Sequence, residues 1–280
     1  MFCLTSFYAS ILKCGMRPTH PRDIQGMPTH DDSRHRYEPV PEGIVAEEAQ
    51  VRAAPFAAQF SAGKAAEQLR RVPAYRKART VMVSPSPLLR QVSLNTITDR
   101  KRLILPTPGL KDGFLRTIPL FISPRNRNVA IQPRPGNPWA LRIPYDQPME
   151  TPIDLIVTEC TAAGLDGSRR GDGAGHFDLQ CAILASLGWL SPSLEVAGIV
   201  QEDRICSALP MKPTDMNIHW IVTPAGALRT GFRLHRVPGL DWGSLVDRDI
   251  RRNQALFYLF RKLCPGGFLL AGWKAEEKKP

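Results

Sequence analysis

The residues best suited to chemistry are concentrated between Gly164 and Asp178, where five glycines, the adjacent Arg169 and Arg170 and a closing acid share one short stretch. Glycine has no Cβ to keep a backbone N–H from facing a ligand, a helix start adds partial positive charge, and arginines add full charges. The guest that suits this combination is a phosphate. A glycine-rich surface turn is the alternative, and the flanking segments weigh against it. Upstream, Ile153 to Thr158 is a β-branched apolar run, and downstream Phe177, Cys181, Leu184 and Leu187 recur at helical spacing. Strand, glycine loop and helix together aim backbone donors and a helix N-terminus at one anion. Neither of the two commonest phosphate motifs is present. No Gly-Lys-Ser/Thr triplet closes the loop, and Gly171, Gly173 and Gly175 are spaced too tightly for G-x-G-x-x-G.

Such a loop needs a sheet behind it. Ala78 to Ser84 reads as a buried strand, Pro85-Ser86-Pro87 opens a helix over Leu88–Ile97, and Lys101 to Leu105 forms a second strand that ends at Pro106-Thr107-Pro108. This βαβ rhythm predicts an α/β fold with a parallel sheet. Glu195–Val200 and Ile218–Thr223 read as further strands, separated by the turn Leu209 to Asp215. Leu245 to Leu263 places Leu245, Ile250, Leu256, Leu259 and Leu263 on one face of an amphipathic helix that packs on the core. Glu42 to Arg71 reads as two helices broken near Pro55 and Gly63. Pro119 to Pro148 is mostly loop, and its Arg125, Arg127, Arg134 and Arg142 either line a ligand mouth or face water. Residues 1–40, punctuated by prolines, read as a disordered tail with initiation expected at Met16 or Met27; residues 41–265 form one domain and 266–280 a charged tail.

Of 280 residues, 43% are hydrophobic, which is enough for one sizeable core. The net charge of +11 is uneven: Lys64 to Arg142 holds 16 Lys/Arg against three acids, a local +13 that leaves −2 for the rest of the chain. The basic half is suited to an anion, a solvated basic face being the alternative. No RRM-type aromatic signature or zinc-finger spacing accompanies it, so nucleic acid is not expected as a partner. The six cysteines form no C-x-x-C pair, which points to neither a zinc site nor a disulfide framework and fits a reducing compartment. No apolar run approaches the ~20 residues of a membrane-spanning helix. A cytoplasmic location is expected, with a transit peptide as the weaker reading.

The loop resembles the G-x-R-x-G-x-G-x-G-x-x-D signature of the 5-formyltetrahydrofolate cyclo-ligase (methenyltetrahydrofolate synthetase) family, with Gly167, Arg169, Gly171, Gly173, Gly175 and Asp178 in register. Arg76-Lys77-Ala78, Lys101 to Pro108, Leu209-Pro210 and Ile221-Val222-Thr223-Pro224 follow in the family's order, and the resemblance covers roughly Pro55 to Arg233. Pro-Thr-Pro after the second strand and the turn Met211 to Asp215 look most like the divergent methenyltetrahydrofolate synthetase domain-containing branch. The resemblance implies a Rossmann-like three-layer sandwich of the NagB/RpiA/CoA-transferase kind with a mostly parallel sheet. It implies ATP and Mg²⁺ as cofactors and a reduced folate, an anionic small molecule, as substrate. In the family's reaction the formyl oxygen of 5-formyltetrahydrofolate takes the γ-phosphoryl group, N10 attacks the activated carbon, and phosphate leaves as 5,10-methenyltetrahydrofolate forms. Carried over residue by residue, Gly167, Arg169, Arg170, Gly171, Gly173 and Gly175 bind ATP phosphates, with Lys64 a candidate for the early phosphate lysine. Arg169 is the catalytic candidate, and Asp178 and Asp215 hold the metal.

Three departures from the family pattern stand out. His219 occupies a metal-side position that is usually acidic, and imidazole is a poor Mg²⁺ ligand. The glutamate that positions the folate after the first strand has no counterpart, because Ser84 to Arg90 contains no acid. His176-Phe177 replaces the two aromatics that usually precede the acid. A non-catalytic nucleotide- or folate-binding protein on the same fold is therefore the alternative to a ligase.

Overall fold

Short aliphatic segments, every one buried, build the centre of the molecule: β1 (Thr80–Val83), β2 (Arg102–Pro106) and β5 (Ile153–Glu159) pair in parallel, with Met82 opposite both Ile104 and Ile156. The computed structural model describes residues 62–233 and 237–263. The expectations for residues 1–61, which include the tail and the break near Pro55, and for the closing tail lie outside the described residues. β8 (Leu190–Ile199) and β10 (Trp220–Val222) extend the parallel set, and β3 (Phe114–Thr117), β4 (Ala140–Arg142) and β11 (Ala227–Arg229) add antiparallel edges. The resulting eight-stranded sheet has the order β11-β10-β8-β5-β1-β2-β3-β4.

Strand side chains alternate between two apolar layers, as a period of two requires. Val81, Leu103, Leu155, Ala197 and Val222 join a layer with helices α1 (Ala62–Arg71), α2 (Pro73–Lys77) and α3 (Arg90–Thr98). Met82, Ile104, Ile156, Val196 and Ile221 join the opposite layer, covered by α5 (His176–Ser186), α6 (Asp247–Arg252) and α7 (Gln254–Leu263). A short helix, α4 (Arg127–Ala130), packs beside α3. This is the three-layer α/β arrangement with a mostly parallel sheet that the sequence predicts.

Several boundaries differ from expectation for local reasons. Gly63 does not break a helix; it lies in the first turn of α1. The single helix expected over Leu245–Leu263 is two, because the side chain of buried Asn253 accepts from the N–H groups of Ala255 and Leu256 (both 3.1 Å) and starts α7 afresh. Pro119–Pro148 contains the edge strand β4. Arg127 does not reach a ligand mouth: it donates to Thr98 Oγ1 (3.1 Å) and, with Arg90 bonded to Asn128 (2.8 Å), ties α4 to α3.

Candidate functional site

β5 does not run directly into the glycine loop. Between them β6 (Ala162–Gly164) and β7 (Arg169–Arg170) form a tight hairpin, and β9 (Ile205–Cys206) completes a three-stranded second sheet. Gly167 at the hairpin tip has φ +92°, and a Cβ there would lie 2.5 Å from Phe232 Cβ and 2.8 Å from the Ile218 carbonyl. Its N–H donates to the Gly164 carbonyl (2.9 Å), so this glycine is required by packing and its donor is used inside the turn. Gly173 (φ +83°) and Gly175 (φ +68°) differ: a Cβ on either would meet nothing within 4 Å. Left-handed backbone and open space at Gly173 and Gly175 leave Gly171–Gly175 as a cradle at the N-terminus of the eleven-residue α5, with Gly171 backed by Arg169 Nη1, which a Cβ there would meet at 3.1 Å.

Arg169 does not extend into that cradle. Its side chain is 4% exposed, pairs with Asp178 Oδ1, donates from Nε to the Met216 carbonyl (2.9 Å) and lies over the Phe177 ring at 4.3 Å. Asp178 Oδ1 also accepts from the Met216 N–H (2.7 Å). The hairpin, the first turn of α5 and the segment before β10 are thus joined at one buried ion pair. Arg170 is half-buried, and its carbonyl accepts from the Thr161 N–H (2.8 Å) and hydroxyl (3.1 Å). Lys64 is exposed in the first turn of α1; Gln68, one turn on, donates to the Pro224 carbonyl (3.4 Å) beyond β10, which sets this part of α1 toward the loop-bearing strand ends.

The residues expected to hold magnesium have other occupations. Asp178 neutralises Arg169, and Asp215 accepts from the Lys212 N–H (2.8 Å) to close its own turn. His219 is buried, its Nδ1 accepts from the Val196 N–H (3.0 Å), and its ring packs edge-on to Phe232 at 5.2 Å. Burial holds its pKa below the ordinary imidazole value. Among the described residues no group of three or more His, Cys, Asp or Glu side chains is placed to hold a metal ion. Asp178 Oδ2 and Asp215 Oδ1 accept no hydrogen bond from a described residue, so each acid keeps one oxygen for a cation of the kind that takes one or two carboxylates beside phosphate oxygens. Cys160 is likewise no nucleophile, since burial pushes its thiol up to about 12.

The basic half is divided by the sheet. Arg79, Lys101 and Arg102 stand at the strand starts, where the N–H groups of Arg79 (2.8 Å) and Thr80 (3.2 Å) donate to Asp154. Glu159, five residues after Asp154 along β5, is about 17 Å away. Those cations lie at the end opposite the glycine loop and serve a different surface. At the loop end, the chain leaves β1 toward β2 through α3 on one face and leaves β5 toward β8 through α5 on the other. The crevice between the C-terminal ends of β1 and β5 is therefore the topological switch point, where open α/β sheets bind ligands. Glu159 sits there, accepting from the Ser86 hydroxyl. Sequence reasoning passed over Glu159; its signal was an acid directly after the β-branched run of β5, just before the glycine loop.

Fold and loop together define an α/β protein with an open glycine loop at a helix start. The chain belongs to the 5-formyltetrahydrofolate cyclo-ligase family, whose profile matches residues 44–224. It is 26% identical over 190 residues to the methenyltetrahydrofolate synthase domain-containing protein of Bos taurus, covering 66% of this chain and 49% of the relative. Identity to the Homo sapiens counterpart is 25% over 184 residues, covering 64% and 47%. The chain thus spans about half the length of these relatives. The structure of Aquifex aeolicus 5,10-methenyltetrahydrofolate synthetase aligns with a TM-score of 0.41 at 19% identity, covering 62% of this chain and 84% of that one. Helices α6 and α7 lie beyond the matched region.

Proposed function

We propose that the protein closes 5-formyltetrahydrofolate to 5,10-methenyltetrahydrofolate with ATP, releasing ADP and phosphate. The observation that carries this reading is the cradle Gly171–Gly175: it is open, has left-handed glycines and lies at the start of α5, within the family-matched region. Backbone N–H groups and the helix N-terminus receive the nucleotide's phosphates, which enter as the magnesium salt of ATP. Arg169 acts from behind the loop. Its pairing with Asp178 and Met216 fixes the hairpin and the helix start relative to each other, so its part in catalysis is to hold the cradle's shape. The formyl oxygen attacks the γ-phosphorus as the bond to ADP breaks, and N10 then displaces phosphate from the activated carbon. These steps ask the protein mainly for positioning.

A second reading, binding of nucleotide or folate without turnover, is favoured by one observation: Arg169 and Asp178 are spent on each other. Turnover separates the two. Purified protein with MgATP and 5-formyltetrahydrofolate should give the near-ultraviolet absorbance of the methenyl product. Absorbance no faster than in a protein-free control, with both ligands bound, establishes the second reading.

A further inference from the structure

The switch-point crevice carries a carboxylate that the family pattern does not supply from β1. Glu159 is half-buried, and among the described residues its partner is a hydroxyl, with no arginine or lysine paired to it. Burying part of a carboxylate against so little compensation is unfavourable unless donors arrive from elsewhere. Its orientation is fixed. The Ser86 hydroxyl proton is committed to Glu159 Oε2 while Ser86 Oγ accepts from the Leu88 N–H (3.2 Å) at the start of a helical turn. The second oxygen, Oε1, has no hydrogen bond with any described residue. The strand ladder holds the two sides together, since the Ser84 N–H donates to the Val157 carbonyl (2.9 Å).

We propose that Glu159 is the carboxylate that seats the substrate's heterocycle. Held by Ser86, it reads a flat ring edge that presents adjacent N–H donors, as the 2-amino-4-oxo edge of a reduced pterin does. This rests on the folate reading above and adds which residue selects the ring. The acid comes from the end of β5, one strand over from Ser84 to Arg90, which contain none. A carboxylate is acceptor-only, so it favours a donor pair and rejects a ring that lacks the amino group.

The test is calorimetric binding of 5-formyltetrahydrofolate, and of its analogue lacking the 2-amino group, to the full chain and to Glu159→Gln and Ser86→Ala. Charged hydrogen bonds of this kind set the expected loss for Glu159→Gln at about ten- to a hundredfold in folate affinity. The variant should also lose most of the wild-type preference for the amino-bearing ligand, with MgATP affinity unchanged. Ser86→Ala, which keeps the charge but frees it, should weaken folate about three- to tenfold and decides the matter if Glu159→Gln does not fold. Folate binding within about twofold of wild type in both variants, or an unchanged preference between the two ligands, overturns the assignment while leaving the folate reading intact. Failure of the wild-type protein to bind 5-formyltetrahydrofolate overturns both.

Discussion

Replacing Asp178 by Ala tests whether this acid is structural. In the structure the Asp178 carboxylate compensates a guanidinium that is 4% exposed, and it is itself 17% exposed. Removing one partner of a buried pair costs roughly 3–5 kcal/mol, because the remaining charge is stranded. Partial exposure of Asp178 puts the expected loss near the lower end, about 3 kcal/mol. For a domain of this size each kcal/mol lowers the melting temperature by about 2–4 °C, so Asp178→Ala should melt about 6–12 °C below wild type. Asp178→Asn keeps an acceptor for the Met216 N–H and should lose about half as much. Exchanging the whole pair for apolar residues, Arg169→Met with Asp178→Leu, should recover most of the loss, since no charge is left buried. The assay is thermal and denaturant unfolding of ligand-free protein in a chelator. A carboxylate whose main occupation is a metal ion predicts the reverse: relief of unbalanced charge and a melting point at or above wild type. An Asp178→Ala variant melting within ~1 °C of wild type refutes the structural role.

Three further outcomes follow from the same coordinates. Gly173→Val puts a β-branched residue at φ +83° in the open cradle and should weaken MgATP at least tenfold with a melting shift of only a few degrees, whereas Gly167→Val should prevent folding, because its Cβ meets Phe232 and the Ile218 carbonyl; nucleotide titration beside circular dichroism distinguishes them. Asp172 is exposed in the loop, its carboxylate accepting from the Ala174 N–H (3.0 Å), so Asp172→Asn should strengthen MgATP binding about two- to fivefold at low salt, an advantage that fades as salt is added. The lowered pKa of His219 means that the unfolded chain binds a proton near its ordinary value of ~6.5 while the folded protein does not, so stability is intact above that pH and falls by up to about 1.4 kcal/mol per unit below it, as protonation ejects the Val196 N–H from Nδ1; wild type should lose more stability than His219→Gln between pH 7 and 5.5 in parallel denaturant titrations.

The central sheet was legible because its strands are dominated by aliphatic and β-branched residues and bounded by prolines and polar turns; β1, β2 and β5 required no tertiary information. The edges were not. β4 contains exposed Leu141 and Arg142, and β11 is exposed at all three residues, so neither shows the burial that makes a strand readable. The hairpin β6–β7 was hidden inside the glycine motif, whose composition reads as loop. Within the site, the open glycines and the helix start were recoverable from spacing. The roles of Arg169, Asp178 and His219 were not, because each is set by a partner distant in sequence: Met216 for the first two and Val196 for the third. Glu159 was missed for a related reason. Its importance comes from which strand lies beside β5, and strand order is a property of the fold.

If one site couples nucleotide cleavage to folate ring closure, the ratio of ADP to methenyl product reports that coupling. With MgATP saturating and 5-formyltetrahydrofolate titrated, ADP should form only when folate is present, one molecule for each methenyl product, and both rates should fall together in Gly173→Val. ADP formation that ignores folate, or methenyl product without ADP, contradicts it.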